Sequence, residues 1–84
     1  MNNKILVEIY IAKLDKYYDV FIPCNKKIKN VLALIVNALS QMTGYEFPVD
    51  YHVALVNKIN GQIFNPENTF KELGILNGSK LLLI

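Results

Sequence analysis

The chain has 84 residues, 52% of them apolar and 19% charged, with a net charge of +2. A chain of this length is one small domain, residues 1–84, that buries about 60% of the surface its unfolded form would expose. All nine basic residues are lysine, so the guanidinium fork that reads guanine or clamps a phosphate is missing, and the weak net charge gives no pull toward nucleic acid.

The first strand is read at Ile5–Ile11, where β-branched residues alternate with others. Ile5, Val7, Ile9 and Ile11 should face a core, and Leu6, Glu8 and Tyr10 the opposite side. Ala12 to Lys16 suits a hairpin loop. A second strand follows from Tyr17 to Pro23, where proline ends the ladder. Asp19 must point to water, which turns Tyr18, Val20 and Ile22 inward and puts Tyr17 and Phe21 on the outer face.

Asn25 to Met42 is the one long helical pattern. Ile28, Val31, Leu32, Ile35, Leu39 and Met42 recur at three- and four-residue steps and share a stripe. Asn25 is the expected N-cap. Lys26, Lys27 and Lys29 crowd the first turn, which the helix dipole disfavours, and read as a solvated basic rim. Gly44 is the expected left-handed stop. Asn30, Leu34, Asn37 and Gln41 fall on the outer side.

Beyond the helix, Tyr45–Asp50 reads as a loop with Pro48. Tyr51–Lys58 is the third strand, with Val53 and Leu55 inward. Asn60-Gly61 is a hairpin dipeptide, and Gln62-Ile63-Phe64 a very short fourth strand stopped by Pro66. Thr69 and Glu72 have the spacing of a capping box around one helical turn closed by Gly74. Asn77-Gly78 makes a tight turn into Lys80–Ile84, apolar on both faces and therefore expected mid-sheet. The fold class is α+β. A mixed sheet of four to five strands is crossed by one main helix and a short helical turn, which is the β-grasp or ubiquitin-like arrangement.

The closing segment carries the resemblance. Gln62-Ile63-Phe64, Asn68-Thr69-Phe70-Lys71-Glu72-Leu73-Gly74-Ile75 and Asn77-Gly78-Ser79-Lys80-Leu81 look like the last third of ubiquitin-like domains. Together with Tyr18-Asp19-Val20-Phe21-Ile22-Pro23 and the Ile28–Val36 helix, the chain resembles the YukD/EsaB family. These are small ubiquitin-like proteins of Gram-positive type VII (WXG100) secretion systems. The resemblance spans the whole chain and is most specific for the fold. It implies a non-enzymatic cytoplasmic adaptor, recruited to the inner face of the membrane. It also implies protein partners in the secretion machinery, either a pseudokinase-like membrane protein or an FtsK-type ATPase. Conjugated modifiers and sulfur carriers of the same fold use a flexible Gly-Gly tail. This chain reads Leu82-Leu83-Ile84 instead, so neither conjugation nor sulfur transfer is expected.

No chemistry-bearing constellation competes with that reading. Cys24 is the only cysteine, which excludes an internal disulfide and fits a reducing compartment; beside the helix start it reads as a small packing residue. His52, the only histidine, reads as an ordinary strand residue, so no metal site is expected. The seven acids are scattered, and no catalytic residue or cofactor is expected. The first apolar run is too short for a signal peptide or a membrane span, and no direct membrane insertion is expected. Two surfaces are the candidate partner-binding sites. Leu6, Tyr10, Tyr17 and Phe21 would gather on the hairpin's outer face, and aromatic residues anchor protein interfaces. Asn30, Leu34 and Asn37 lie on a helix side almost without charge, unlike a purely solvated helix. Two such surfaces also permit a homodimer.

Overall fold

The computed structural model describes residues 3–46 and 54–84. The expectations for Val53, His52 and the loop at Pro48 therefore lie outside the described residues. Five elements follow in order: β1 (Lys4–Ile11), β2 (Lys16–Pro23), α1 (Ile28–Thr43), β3 (Leu55–Asn57) and β4 (Lys80–Leu83).

The β1–β2 hairpin keeps the alternation of its sequence. Ile5, Val7, Ile9 and Ile11 are all buried. Opposite them Ile22 is buried, while Tyr18 and Val20 are half-buried against the same core. The turn closes with Leu14 and Asp15 N–H groups donating to the Ile11 and Ala12 carbonyls. Asp15 has φ 52°, a left-handed conformation that aspartate adopts more readily than most residues.

The four strands form one sheet in the order β2-β1-β4-β3. β4 runs parallel to β1 and antiparallel to β3, so the doubly apolar strand is central, as its composition required. Leu81 and Leu83 are buried on the core side, and Leu82, half-buried, stands on the other. The expected fourth strand at Gln62-Ile63-Phe64 is reduced to a single bridge, Val56 to Ile63. The Asn57 and Asn60 side chains cap the N–H groups of Ile59 and Gln62. Polar residues that bond their own turn this closely leave little chain to extend a ladder.

Across the sheet, α1 buries Ile28, Val31, Ile35, Val36 and Leu39. Two members of the expected stripe differ. Leu32 is only half-buried. Met42 has the right angular position but is 53% exposed. A stripe buries a residue only where cover also reaches that level of the axis. Val36 at the stripe's flank is buried instead.

The helix start also differs. Lys27, not Asn25, occupies the N-cap position, and no side chain caps it. The first free N–H groups, of Ile28 and Lys29, instead donate to the carbonyls of Asn68 and Pro66 at 2.8 and 3.0 Å. Between those two carbonyls sits Glu67, whose carboxylate pairs with Lys27 at 3.2 Å and Lys29 at 3.0 Å. The acid missing from the helix's own first turn is thus supplied by a distant loop, and two of the three lysines of the expected basic rim are paired. The lysine contacts hold the Glu67 carboxyl below its ordinary value of 4.5, hydrogen bonding to Lys29 first and to Lys27 next. A depressed carboxylate stabilises the fold above its unfolded pKa, and that contribution fades as pH falls through the folded value. The difference in urea midpoint between the wild type and Glu67→Gln should therefore be present at neutral pH and vanish under acid. A difference independent of pH would show that the ion pairs are not its source.

The capping box forms as its spacing requires. The Glu72 N–H donates to the Thr69 hydroxyl at 3.1 Å, and the Thr69 N–H to the Glu72 carboxylate at 2.8 Å. This turn delivers Phe70, fully buried, into the core, where its ring meets Phe64 edge-on at 6.2 Å. The Asn77-Gly78 turn then docks on β1: Leu6 N–H donates to the Asn77 side chain and Gly78 N–H to the Leu6 carbonyl, both at 2.8 Å. No described helix is long and apolar enough to cross a membrane.

Candidate protein-interaction surface

The antiparallel register sets Leu6 opposite Phe21, Glu8 opposite Asp19 and Tyr10 opposite Tyr17. All six stand on the sheet face away from α1, since their strand neighbours point into the core. The four residues expected to gather on this face do so, but the face is not uniform. At one end the Tyr10 and Tyr17 rings stack tilted at 4.7 Å. The Lys58 ammonium lies 4.2 Å from the Tyr17 ring centroid and 4.9 Å from that of Tyr10, and it donates to the Tyr17 hydroxyl at 3.0 Å. The Tyr10 hydroxyl donates to Asp15 at 2.5 Å. That hydrogen bond, made by the protonated phenol, raises the Tyr10 pKa. Both phenols are thus engaged within the chain. At the other end Leu6 is exposed and Phe21 is 67% exposed, so the open apolar surface is there.

Lys58 is expected only as the last residue of the third strand, and the tertiary placement of the β3 end over the hairpin is what reveals its cation–π role.

On the helix, Asn30, Leu34 and Asn37 are all exposed. Leu34, at 55%, is brought to Phe21. The two line one groove, about 230 Å³ in volume, with Lys4, Val20, Ile22, Pro23, Ile35 and Ala38. The two expected surfaces therefore meet at the edge of β2. Asn30 and Asn37 do not line the groove. A second apolar groove, about 220 Å³, lies between Ile28, Leu32, Leu55, Ile63, Phe64 and Pro66.

Cys24 is half-buried against the core. Its N–H donates to the Asn3 carbonyl at 2.8 Å and its carbonyl accepts from Lys71 at 2.9 Å, the packing role expected for it. Among the described residues no three His, Cys, Asp or Glu side chains come together as metal ligands.

A mixed four-stranded sheet in the order β2-β1-β4-β3, crossed by one helix, is the β-grasp arrangement, and the chain has a ubiquitin-like fold. No family model matches its sequence, and no curated protein does. Solved structures match it end to end. The ubiquitin-like domain of the Mycobacterium tuberculosis type VII secretion system protein ECCD1 superposes with a TM-score of 0.77 at 17% identity, covering 100% of this chain and 99% of that one. The EccD5 ubiquitin-like domain from Mycobacterium xenopi gives 0.73 at 19% identity, over 99% and 94%. A chain of the MycP5-free ESX-5 inner membrane complex gives 0.70 at 18% identity over 99% of this chain and 21% of that chain. At these identities the likeness is one of fold.

Proposed function

We propose that the chain is a non-enzymatic ubiquitin-like adaptor of a type VII secretion system, of the Gram-positive YukD/EsaB kind. It acts in the cytoplasm, at the inner face of the membrane, through contacts with a pseudokinase-like membrane component or an FtsK-type ATPase. The observation that carries this reading is the end-to-end superposition on ubiquitin-like domains of type VII secretion proteins. The exposed Phe21 and Leu34 side chains supply a physical means: large apolar groups that a partner can desolvate. Leu6, Tyr10, Tyr17, Asn30 and Asn37 are the further candidate contact residues on the two surfaces.

The test is affinity capture from a detergent extract of the source membrane, with recovered proteins identified by mass spectrometry. The wild type should retain one of the two named membrane components. Phe21→Ser/Leu34→Ser, which alters only exposed side chains, should retain at least about tenfold less, equivalent to about 1.4 kcal/mol. Recovery of neither component by the wild type would sink the secretion reading. Equal recovery by wild type and variant would move the contact off this surface.

A further inference from the structure

Asn-Gly occurs twice in the chain, at Asn60-Gly61 and at Asn77-Gly78. This dipeptide carries a chemistry of its own. The glycine nitrogen, once it loses its proton, can attack the asparagine Cγ, and no glycine Cβ obstructs the ring that forms. The Cγ–Nδ2 bond breaks and ammonia leaves. Water then opens the cyclic imide at one carbonyl or the other, giving aspartate or isoaspartate. Asn60, Gly61, Asn77 and Gly78 are all exposed, so exposure does not separate the two pairs. Their hydrogen bonds do.

Asn77-Gly78 is held by the middle of the sheet. A single residue of β1 engages both reacting groups. The Leu6 N–H donates to the Asn77 side-chain oxygen, and the Leu6 carbonyl accepts from the Gly78 N–H, both at 2.8 Å. Next to them the Glu8 N–H donates to the Ser79 carbonyl at 3.0 Å. The attacking nitrogen therefore keeps its proton on an acceptor, and the amide stays pinned, until this turn leaves β1. β1 and β4 are the two inner strands, so that release amounts to unfolding. Asn60-Gly61 is held only by its own turn. The Gly61 N–H donates to the Asn57 carbonyl at 2.8 Å, and the Asn60 side chain accepts from the Gln62 N–H at 2.9 Å. On either side lie a strand of three residues and the single bridge at Ile63. Ile59, next to Asn60, is 85% exposed and anchors nothing. Such a turn opens while the core stays folded.

We infer that Asn60 is a self-modification site, converted in the folded protein to aspartate and isoaspartate, and that docking on Leu6 keeps Asn77 an amide. Conversion lowers the net charge of +2 by one. It also puts a carboxylate two residues from Lys58, the ammonium that lies over the Tyr10 and Tyr17 rings. In the isoaspartate form the main chain runs through the side-chain carbon, which lengthens the turn. The class of enzyme that recognises this product is an isoaspartyl methyltransferase using S-adenosylmethionine. The inference requires no binding partner and stands apart from the adaptor reading.

The test is peptide mapping of the full chain after incubation at mildly alkaline pH. Trypsin cuts after Lys58, Lys71 and Lys80, so peptides 59–71 and 72–80 carry one Asn-Gly pair each. Fragmentation spectra locate the acid. Methyl transfer from labelled S-adenosylmethionine by a purified isoaspartyl methyltransferase measures the isoaspartate in each peptide. In the native protein Asn60 should convert at least about tenfold faster than Asn77. In guanidinium above the unfolding transition the two rates should converge, since each pair follows an aliphatic residue. Below the transition, added guanidinium should speed Asn77 and leave Asn60 almost unchanged. Gly61→Ala places a Cβ that meets nothing within 4 Å, and it should slow conversion of Asn60 at least about tenfold by obstructing ring closure. The inference is overturned if Asn60 stays an amide in the native protein while the unfolded chain converts, or if Asn77 keeps pace with it. It is equally overturned if Asn60 responds to sub-denaturing guanidinium as Asn77 does, or if Gly61→Ala converts at the wild-type rate.

Discussion

Phe70→Ala should lower unfolding stability by about 3–5 kcal/mol, read as a fall in the urea midpoint at unchanged slope. The ring is fully buried and stacks edge-on against Phe64, so truncation loses both transfer free energy and packing, and leaves a void. At about 0.05–0.15 kcal/mol per residue, an 84-residue domain has a stability of the order of 4–12 kcal/mol. The loss is therefore comparable with the whole stability at the lower end of that range. Phe70→Leu refills most of the volume and should recover much of the loss. A Phe70→Ala cost below about 1 kcal/mol would mean that the turn from Thr69 to Gly74 relaxes into the void.

The second large effect is a contrast within one helix. Leu39→Ala should cost about 2–5 kcal/mol, because Leu39 is fully buried in the core. Met42→Ala, one turn further along the same stripe, should stay within about 0.5 kcal/mol, because that side chain is largely in water. Chemical denaturation of both variants checks the pair. Equal losses would place Met42 under a cover that its exposure denies.

That contrast marks how far the sequence could be read. Period-two alternation fixed the inward set from Ile5 to Ile11, because a strand has only two faces. The capping box at Thr69 and Glu72 was legible because both partners sit three residues apart in the chain. The sheet position of Lys80–Leu83 followed from apolar residues on both faces. What failed depended on distant partners. Asn25 looked like the cap because the pattern of local capping is all a sequence displays; the actual acceptors, Pro66 and Asn68, lie about forty residues away. The capping-box spacing says nothing of Phe70 as a core residue, because its burial depends on Phe64, packed against it from another segment. Of the candidate surface, the hairpin set was legible from alternation, and Leu34 from the uncharged helix side. That Phe21 and Leu34 line one groove was not, because it depends on how α1 lies across β2.

The loop at Pro66–Asn68 that meets the start of α1 has a consequence for the order of events during synthesis. The helix begins at Ile28, but its first two N–H groups find their acceptors only after Asn68 is made. β1 likewise waits for its inner neighbour until Lys80–Leu83 emerges, because β4 stands between β1 and β3. On the ribosome the hairpin and helix can collapse early, but the sheet cannot close until Lys80–Leu83 has been translated. Long-range pairings of this kind slow folding, so Ile5, Val7, Ile9 and Ile11 lack their final cover for most of translation. A chaperone that binds β-branched apolar runs would find its site in Ile5–Ile11 while that run waits for β4.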